Sequence, residues 1–289
     1  MTEKEFLKIF EREEAVVAQS VARLSRAVSE KILLIFERQA NRLKDVLKTD
    51  AKGNLIMSDS VFKVLLEIEK EILAEINSDS EFNKPLLSEF AVNADSVTGV
   101  EKEIHLKIND INIDKASAEI GVWRKLLADE WIFLMKENGV KQALLPEFKR
   151  TIYAAVANNW SYSTLARKLK QEFTGKNDKL EKAAARTAND AIRGFQGGIN
   201  AAVQQRFNLP YYYYSGSLVS ESRPFCKHVI NVLKRYIEVN KLPVLLKSFL
   251  SDPIKSQGMF QGTNADNFAK LRGGNHCYHL AFAMRKKSI

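Results

Sequence analysis

The chain has 289 residues, and its 45% hydrophobic and 27% charged content is typical of a soluble globular protein of one large domain or two ordinary ones. No stretch approaches the roughly 20 apolar residues of a membrane span, and no basic start followed by an apolar run suggests a secretory signal. Residues 1–150 hold 23 Lys and Arg against 27 Asp and Glu, whereas residues 151–289 hold 21 against 8, a net charge of +13 that attracts polyanions such as nucleic acid.

The chain is predicted to start with a long helix. A capping box formed by Thr2 and Glu5 begins it, and neither Gly nor Pro interrupts it before Gly53. Its apolar residues recur in steps of three, four and seven, which is one stripe along a helix. They are Phe10, Val17, Val21, Leu24, Val28, Ile32 and Ile35. This length favours an arm like a coiled coil or an extended hairpin, which ends in a turn at residues 50–54.

Further helices are predicted along the first 145 residues. Residues 60–76 carry an apolar stripe, and residues 86–146 are helical in pattern again. The expected core of the latter segment is Trp123, Leu126, Leu127, Trp131 and Leu134. His105 stands alone in a mixed segment, so a surface or structural role is expected for it.

Short basic helices follow, predicted over residues 147–157, 162–173 and 178–206. The last of these contains Gly197 and Gly198. Glycine inside a helix costs about 1 kcal/mol relative to alanine, so this pair is expected to mark close packing against another element.

Four consecutive tyrosines at residues 211–214 predict a strand. Alternate rings should be buried, because strand residues alternate between two faces; stacking of the rings on single-stranded bases is the less favoured interpretation. A helix over residues 229–235, a loop and a strand-like segment over residues 278–284 complete the chain.

The predicted fold class is mainly α. A long N-terminal helical region, residues 1–145, precedes a smaller basic α+β domain with a short sheet, residues 146–289. The first region is expected to pack against partners.

Both cysteines and three of the four histidines lie in two short clusters, and each cluster contains Cys-x-His. In an extended segment, residues two apart point to the same face, so each cluster could present a sulfur and an imidazole together. Two such pairs make the four ligands of a closed structural zinc site. The predicted ligands are Cys226, His228, Cys277 and His279, with His276 able to replace either histidine.

Three other interpretations of these clusters stay open. A disulfide between Cys226 and Cys277 would close a long loop, although a reducing cytoplasm disfavours it during folding. A Cys–His nucleophile would need a third group that orients the base, and no such acid is evident nearby. A hydrogen-bonded core without metal also fits, because the ligand types suit zinc but their spacing is not that of a known zinc finger.

An ordered series of motifs runs through the second half of the chain. The series is WSYS at 160–163, LARKL at 165–169, ART at 185–187, GIN at 198–200, SRPFC at 222–226 and GGNHCYH at 273–279. It resembles the phage head morphogenesis family, the minor head proteins related to those of phages Mu and SPP1. Tyr278 stands where relatives often have Arg.

The resemblance implies a virion component, present in few copies, that sits at or near the portal vertex. Such a protein acts in head assembly, DNA packaging or DNA ejection, is made in the host cytoplasm, and has the portal protein and other head proteins as partners. Double-stranded DNA is a further expected partner, and the helical first half would be the variable arm of these proteins.

The basic half of the chain also fits contact with an acidic protein or a solvated face, because charge alone does not separate these cases. The candidate nucleic-acid-binding residues are Arg167, Lys168, Lys170, Arg186 and Arg193. Gly273 and Gly274 are predicted to let the backbone turn closely before Cys277.

Two competing functions remain. A metal-dependent nuclease or toxin-like enzyme delivered with the virion would need an open metal position beside an acid or base. A host DNA-binding protein unrelated to virions is the other. The sequence has no phosphate loop, Gly-x-Gly-x-x-Gly or His-Glu-x-x-His motif, so no catalytic residue is predicted.

Overall fold

The computed structural model describes residues 3–77, 83–174, 179–272 and 279–286. The protein is 73% helical with a small three-stranded antiparallel sheet, which confirms the predicted mainly α fold with a short sheet. Among the described residues, no helix combines the length and the apolar character needed to cross a membrane.

Long helices dominate the chain. The helices are α1 (Glu3–Val46), α2 (Asp59–Asn77), α3 (Asn83–Asn109), α4 (Ser117–Leu134), α5 (Leu145–Ala157), α6 (Tyr162–Thr174), α7 (Lys179–Phe207), α8 (Pro224–Asn231), α9 (Leu242–Leu250) and α10 (Phe268–Leu271). The strands are β1 (Tyr211–Ser215), β2 (Tyr236–Glu238) and β3 (Leu280–Met284). A π-helical segment, Met135–Leu144, joins α4 to α5, and 3-10 turns occupy Ile113–Ala116 and Val239–Lys241. The predicted bounds of α2, α5, α6 and α7 agree with the structure to within two residues.

Two compact units share these elements, and each is assembled from separated segments of the chain. The first unit comprises Met1–Val21, Ala91–Asp129 and Asn189–Ile289. The second unit comprises Ala22–Phe90 and Glu130–Ala188. Residue 145, the end of the predicted first region, lies within the second unit, and the predicted division after it stays a prediction.

The second unit has an apolar core built from the stripes of amphipathic helices. The apolar residues that α1 buries here are Leu24, Val28, Ile32, Ile35, Phe36 and Leu43, and all except Leu43 are members or neighbours of the predicted stripe. The Phe36 ring packs edge-to-face on Phe148 of α5 at a centroid distance of 5.2 Å, and Phe90 stacks on Trp131 at 5.6 Å. Aromatic packing of this kind adds to the free energy of burial.

Helix α1 ends at Val46, before the predicted turn. Oδ1 of Asp50 accepts hydrogen bonds from the backbone N–H groups of Lys52 and Asn54, at 2.8 and 2.9 Å. Gly53 has a φ of +80°, a conformation that glycine adopts without steric cost. The side chain of Asp50 and the glycine together reverse the chain after the helix has ended.

The sheet of the first unit has the order β2-β1-β3, so the tyrosine strand is central. Tyr213 packs on one face against Phe10 and Phe282, with the Phe10 ring centroid at 5.7 Å. Tyr212 and Tyr214, which point to the opposite face, are buried as well. The predicted strand is confirmed. The expectation that only alternate rings would be buried was wrong, because side chains cover both faces of this central strand.

The two glycines of α7 lie where other elements approach the helix. A Cβ atom on Gly197 would lie 2.1 Å from the carbonyl oxygen of Ala269 on α10, and one on Gly198 would lie 2.9 Å from the indole ring of Trp123 on α4. The predicted close packing is therefore confirmed. These contacts hold α7 against α4 and α10.

Candidate functional site

Cys226 lies on α8, which begins at Pro224 directly after the N-cap residue Arg223. Proline suits this position because its fixed φ matches the helix and its missing N–H would have had no helical partner. The Cys226 side chain is buried, and its Sγ lies 3.4 Å from the hydroxyl of Tyr214. Phe225 packs edge-to-face on the same tyrosine at 6.0 Å, so two adjacent residues anchor α8 to β1.

The extended geometry assumed for Cys226 and His228 was wrong, because Pro224 starts a helix there. A residue turns by about 100° in a helix, so side chains two apart point in nearly opposite directions. Cys226 faces Tyr214, whereas the His228 ring packs on Phe249 of α9 at a centroid distance of 5.2 Å. The first Cys-x-His sequence therefore does not present its sulfur and imidazole as a pair.

The helix predicted over residues 229–235 is likewise corrected, since α8 covers Pro224–Asn231. Lys234 and Arg235 have φ values of 52° and 71°, which lie in the left-handed region and end the helical path. The guanidinium of Arg235 then donates to the carbonyl oxygens of Tyr214 and Gly216, at 3.2 and 2.8 Å. This arginine ties the turn after α8 to the end of β1.

The second cluster meets the first at Tyr214. The imidazole of His279 is buried and stacks on the Tyr214 ring at a centroid distance of 5.0 Å and an interplanar angle of 14°. Gly216 allows this approach, because a Cβ atom there would lie 2.9 Å from Cδ2 of His279 and the φ of +108° disfavours other residues. Tyr214 thus contacts Cys226 through its hydroxyl and His279 through its ring.

The zinc prediction stays a prediction. Cys277 and His276 lie outside the described residues, as do Gly273 and Gly274 with their predicted structural role. Within the described ranges, no group of three or more His, Cys, Asp and Glu side chains is arranged to hold a metal ion. The contacts of Tyr214 show that Cys226 and His279, one from each cluster, belong to one packed region.

Four of the five predicted basic contact residues are exposed on the second unit. Arg167, Lys168 and Lys170 lie on α6, and Arg186 lies on α7. Helix α6 buries Leu165 and Leu169, which explains why the cations between them face water. Lys170 also borders a cavity of about 270 Å³ between α1, α5 and α6.

Arg193 differs from the other four predicted contact residues, because it is not exposed. Its side chain is buried, and its Nη1 and Nη2 donate to the two carboxylate oxygens of Glu14 at 3.0 and 2.7 Å. Its Nε donates to Oδ1 of Asn189 at 3.0 Å. A bidentate ion pair of this kind fixes both side chains, so the arginine joins α7 to α1 within the first unit.

A buried polar network lies beside this ion pair. Nε2 of Gln196 donates to Oε1 of Glu13 on α1, and Nδ2 of Asn200 donates to Oε2 of Glu101 on α3 at 3.2 Å. Oδ1 of Asn200 accepts from the backbone N–H of Ala283 on β3 at 3.0 Å. All of these side chains are buried, so α1, α3, α7 and β3 meet through polar contacts in the core.

His105 and Asn109 continue the network along α3. Nδ1 of His105 lies 3.0 Å from Nδ2 of Asn109, and the imidazole stacks on Phe282 at 4.4 Å. Asn109 also donates to the carbonyl oxygen of Ala283 at 2.8 Å and accepts from the N–H of Arg285 at 2.9 Å. His105, for which a surface or structural role was expected, is therefore a core residue.

Burial controls the ionisation of this network. Loss of hydration raises the pKa of Glu13 well above its usual 4.5, and the adjacent Glu101 carboxyl raises it further. Burial also raises the pKa of Glu101, although hydrogen bonds from Glu13, Gln196 and Asn200 oppose this. Burial lowers the pKa of His105 to about 3, so its imidazole is neutral near pH 7.

Sequence reasoning missed this network, but a signal for it exists. Glu101, His105 and Asn109 recur every four residues on α3, and Gln196 and Asn200 do so on α7. Residues with this spacing share one helix face. A polar face on a helix is normally solvated, and only the tertiary structure shows that these two faces meet in the interior.

No family model, curated protein or solved structure matches this chain. The resemblance to the phage head morphogenesis family therefore stays a prediction from the motifs.

Proposed function

We propose that this protein is a phage minor head protein that acts at or near the portal vertex, in head assembly, DNA packaging or DNA ejection. The proposal is supported by one observation: residues from separate motifs of the series lie close together in the first unit. Asn200 binds β3, Cys226 contacts Tyr214, and His279 stacks on the same tyrosine.

These motif residues have a structural task in common, which suits a particle-building module. Helix α7 carries the motif residues Gly198 and Asn200, and its neighbour Gly197 admits α10 to close contact. Arg272, at the end of α10, donates from Nη1 to the carbonyl oxygen of Arg193 at 2.6 Å. The residues of the later motifs, from Gly198 to His279, thus contribute to the packing around the sheet.

The exposed cations of α6 and α7 are proposed to contact DNA or an acidic head protein. Arg167, Lys168 and Lys170 stand within one helical turn and are exposed. Phosphate contacts release counterions, so binding of double-stranded DNA should weaken steeply as salt rises.

The proposed role is tested by mass spectrometry of phage particles purified from a host that carries this gene. We expect the protein in mature particles at a small copy number relative to the major capsid protein, and we expect it to co-purify with the portal protein. Its absence from both particles and portal complexes would overturn the proposal. Cleavage of DNA by the purified protein with divalent metal would instead favour the alternative, a metal-dependent nuclease or toxin-like enzyme.

The DNA contact is tested separately with a triple variant, Arg167→Gln, Lys168→Gln and Lys170→Gln. We expect the slope of log affinity against log salt to fall by up to about 2.7, because each phosphate contact contributes about 0.9. The matched control removes three exposed lysines of the same unit, Lys44, Lys48 and Lys63, and should keep the slope. Equal slopes for the two triple variants would contradict a DNA contact at α6.

A further inference from the structure

We propose that Glu13 and Glu101 share a single proton, and that this proton is a switch that holds the N-terminal part of α1 against α3 and α7 in the first unit.

The contact between the two carboxyl groups requires a proton. The Glu13 and Glu101 carboxyl groups are buried close to each other, because their amide donors Gln196 and Asn200 lie one turn apart on the same face of α7. Carboxylate oxygens only accept hydrogen bonds, so two ionised groups cannot form this contact. Oε1 of Glu101 has no hydrogen-bond donor among the described residues apart from such a proton.

The surrounding groups assign the proton to Glu13. Oε2 of Glu101 accepts from Nδ2 of Asn200, which favours its ionised form. Glu13 accepts from Gln196 with one oxygen, and its other oxygen can then carry the hydrogen that Glu101 accepts. The arrangement is that of a carboxylic acid bound to a carboxylate.

The neighbouring ionisable groups do not supply a positive charge for a second carboxylate. Arg193 on α7 forms a bidentate ion pair with Glu14 on α1, and the charge of Glu14 itself raises the pKa of Glu13. His105 on α3 has Nε2 3.6 Å from Oε2 of Glu101, but its burial keeps the imidazole neutral. Loss of the shared proton therefore leaves two negative charges together in the core, which is costly.

Helix α1 is the element that this repulsion would displace. Within the first unit its segment is held by Glu13, by the ion pair of Glu14 and by Phe10, whose ring packs on Phe282 at 5.5 Å, and Val17 is buried as well. An exposed ion pair between Arg12 and Glu103 adds little. In an opened state, where this part of α1 has left α3 and α7, Glu13 is hydrated and its pKa is lower than in the folded state. The contact is therefore fully stable below the pKa of the opened state, and it weakens as pH rises from there towards the pKa of the folded state.

The first test is infrared spectroscopy of the full-length protein in D2O near pH 7. We expect the carbonyl band of a protonated carboxyl group, its loss in Glu13→Gln, and its persistence in Glu11→Gln, an exposed control on the same helix. A wild-type spectrum without a protonated carboxyl band would overturn the proposal, and this measurement needs no variant to fold.

The second test is amide hydrogen exchange of residues 5–21 as a function of pH, corrected for the intrinsic pH dependence of exchange. Above the opened-state pKa, we expect protection in the wild type and in Glu11→Gln to fall by up to about tenfold per pH unit, because opening releases one proton. Glu13→Gln should remove this dependence, since the amide donates to Glu101 without a titrating proton. The same dependence in Glu13→Gln would overturn the switch, and neither test depends on the proposed phage function.

Discussion

The two compact units solve the problem of a stable core in different ways. The second unit buries apolar stripes and keeps its charges outside, as in the exposed pair of Arg38 and Glu75 at 3.0 Å. The first unit buries Glu13, Glu101 and His105 together with aromatic rings. An apolar core tolerates small shifts in helix register, whereas each buried hydrogen bond is satisfied in a single arrangement. The first unit is therefore expected to respond to substitution and to pH more sharply than the second.

The largest expected effect is that of Gly197→Ala in the first unit. The new Cβ would lie 2.1 Å from the Ala269 carbonyl oxygen, so α7 and α10 must separate, and we expect a loss of about 3 kcal/mol in the free energy of unfolding. Gly121→Ala is the control, because nothing lies within 4 Å of its Cβ and α4 should gain about 0.5–1 kcal/mol. Chemical denaturation measures both. Equal effects would mean that α10 does not approach α7 as described.

Asn200→Ala should cost about 2 kcal/mol, because it leaves the N–H of Ala283 and the carboxylate of Glu101 buried without their partner. Asn158→Ala in the second unit removes an exposed bond from Nδ2 to the Ala154 carbonyl oxygen and should cost less than about 0.5 kcal/mol. Urea denaturation of the two variants gives the comparison. A cost for Asn200→Ala no larger than that of the control would contradict a satisfied polar core.

His105 should make the first unit sensitive to acid. Its folded pKa of about 3 lies below the ordinary value of 6.5, so the unfolded state binds the proton first as pH falls. The contribution of His105 to stability is then expected to fall by about 1.4 kcal/mol per pH unit between about 6.5 and 3, and the proton of Glu13 opposes this fall above the opened-state pKa of Glu13. The variant His105→Gln should reduce this slope, whereas His228→Gln should keep it. Thermal unfolding over this pH range measures the slope, and an unchanged slope in His105→Gln would contradict the burial of a neutral imidazole.

Arg193→Lys should cost about 1 kcal/mol, because lysine cannot reproduce the bidentate contact with Glu14. Arg38→Lys is the matched change in the second unit, where the pair with Glu75 is exposed and should contribute only a few tenths of a kcal/mol. Denaturation midpoints distinguish the two. A larger effect at Arg38 would reverse the proposed contrast between buried and exposed ion pairs.

Local patterns predicted the helices, because the apolar spacing that indicates a helix lies within a few residues of the chain. The apolar stripe of α1 and the bounds of α2, α6 and α7 follow from spacing alone. The same reasoning failed at Pro224, where a helix start was taken for an extended segment and the Cys226–His228 pair was assumed in consequence. A proline fits the first turn of a helix and an extended chain equally well, so the local sequence did not decide.

By itself, the sequence determined the mainly α class, the tyrosine strand and the close packing at Gly197 and Gly198, because these depend on periodicity and on backbone freedom. The tertiary structure alone decided that Arg193 is buried against Glu14, that Tyr214 joins Cys226 to His279, and that polar faces of α3 and α7 meet. Those facts depend on residues far apart in the chain, since the desolvation of a charged side chain is set by what folds over it.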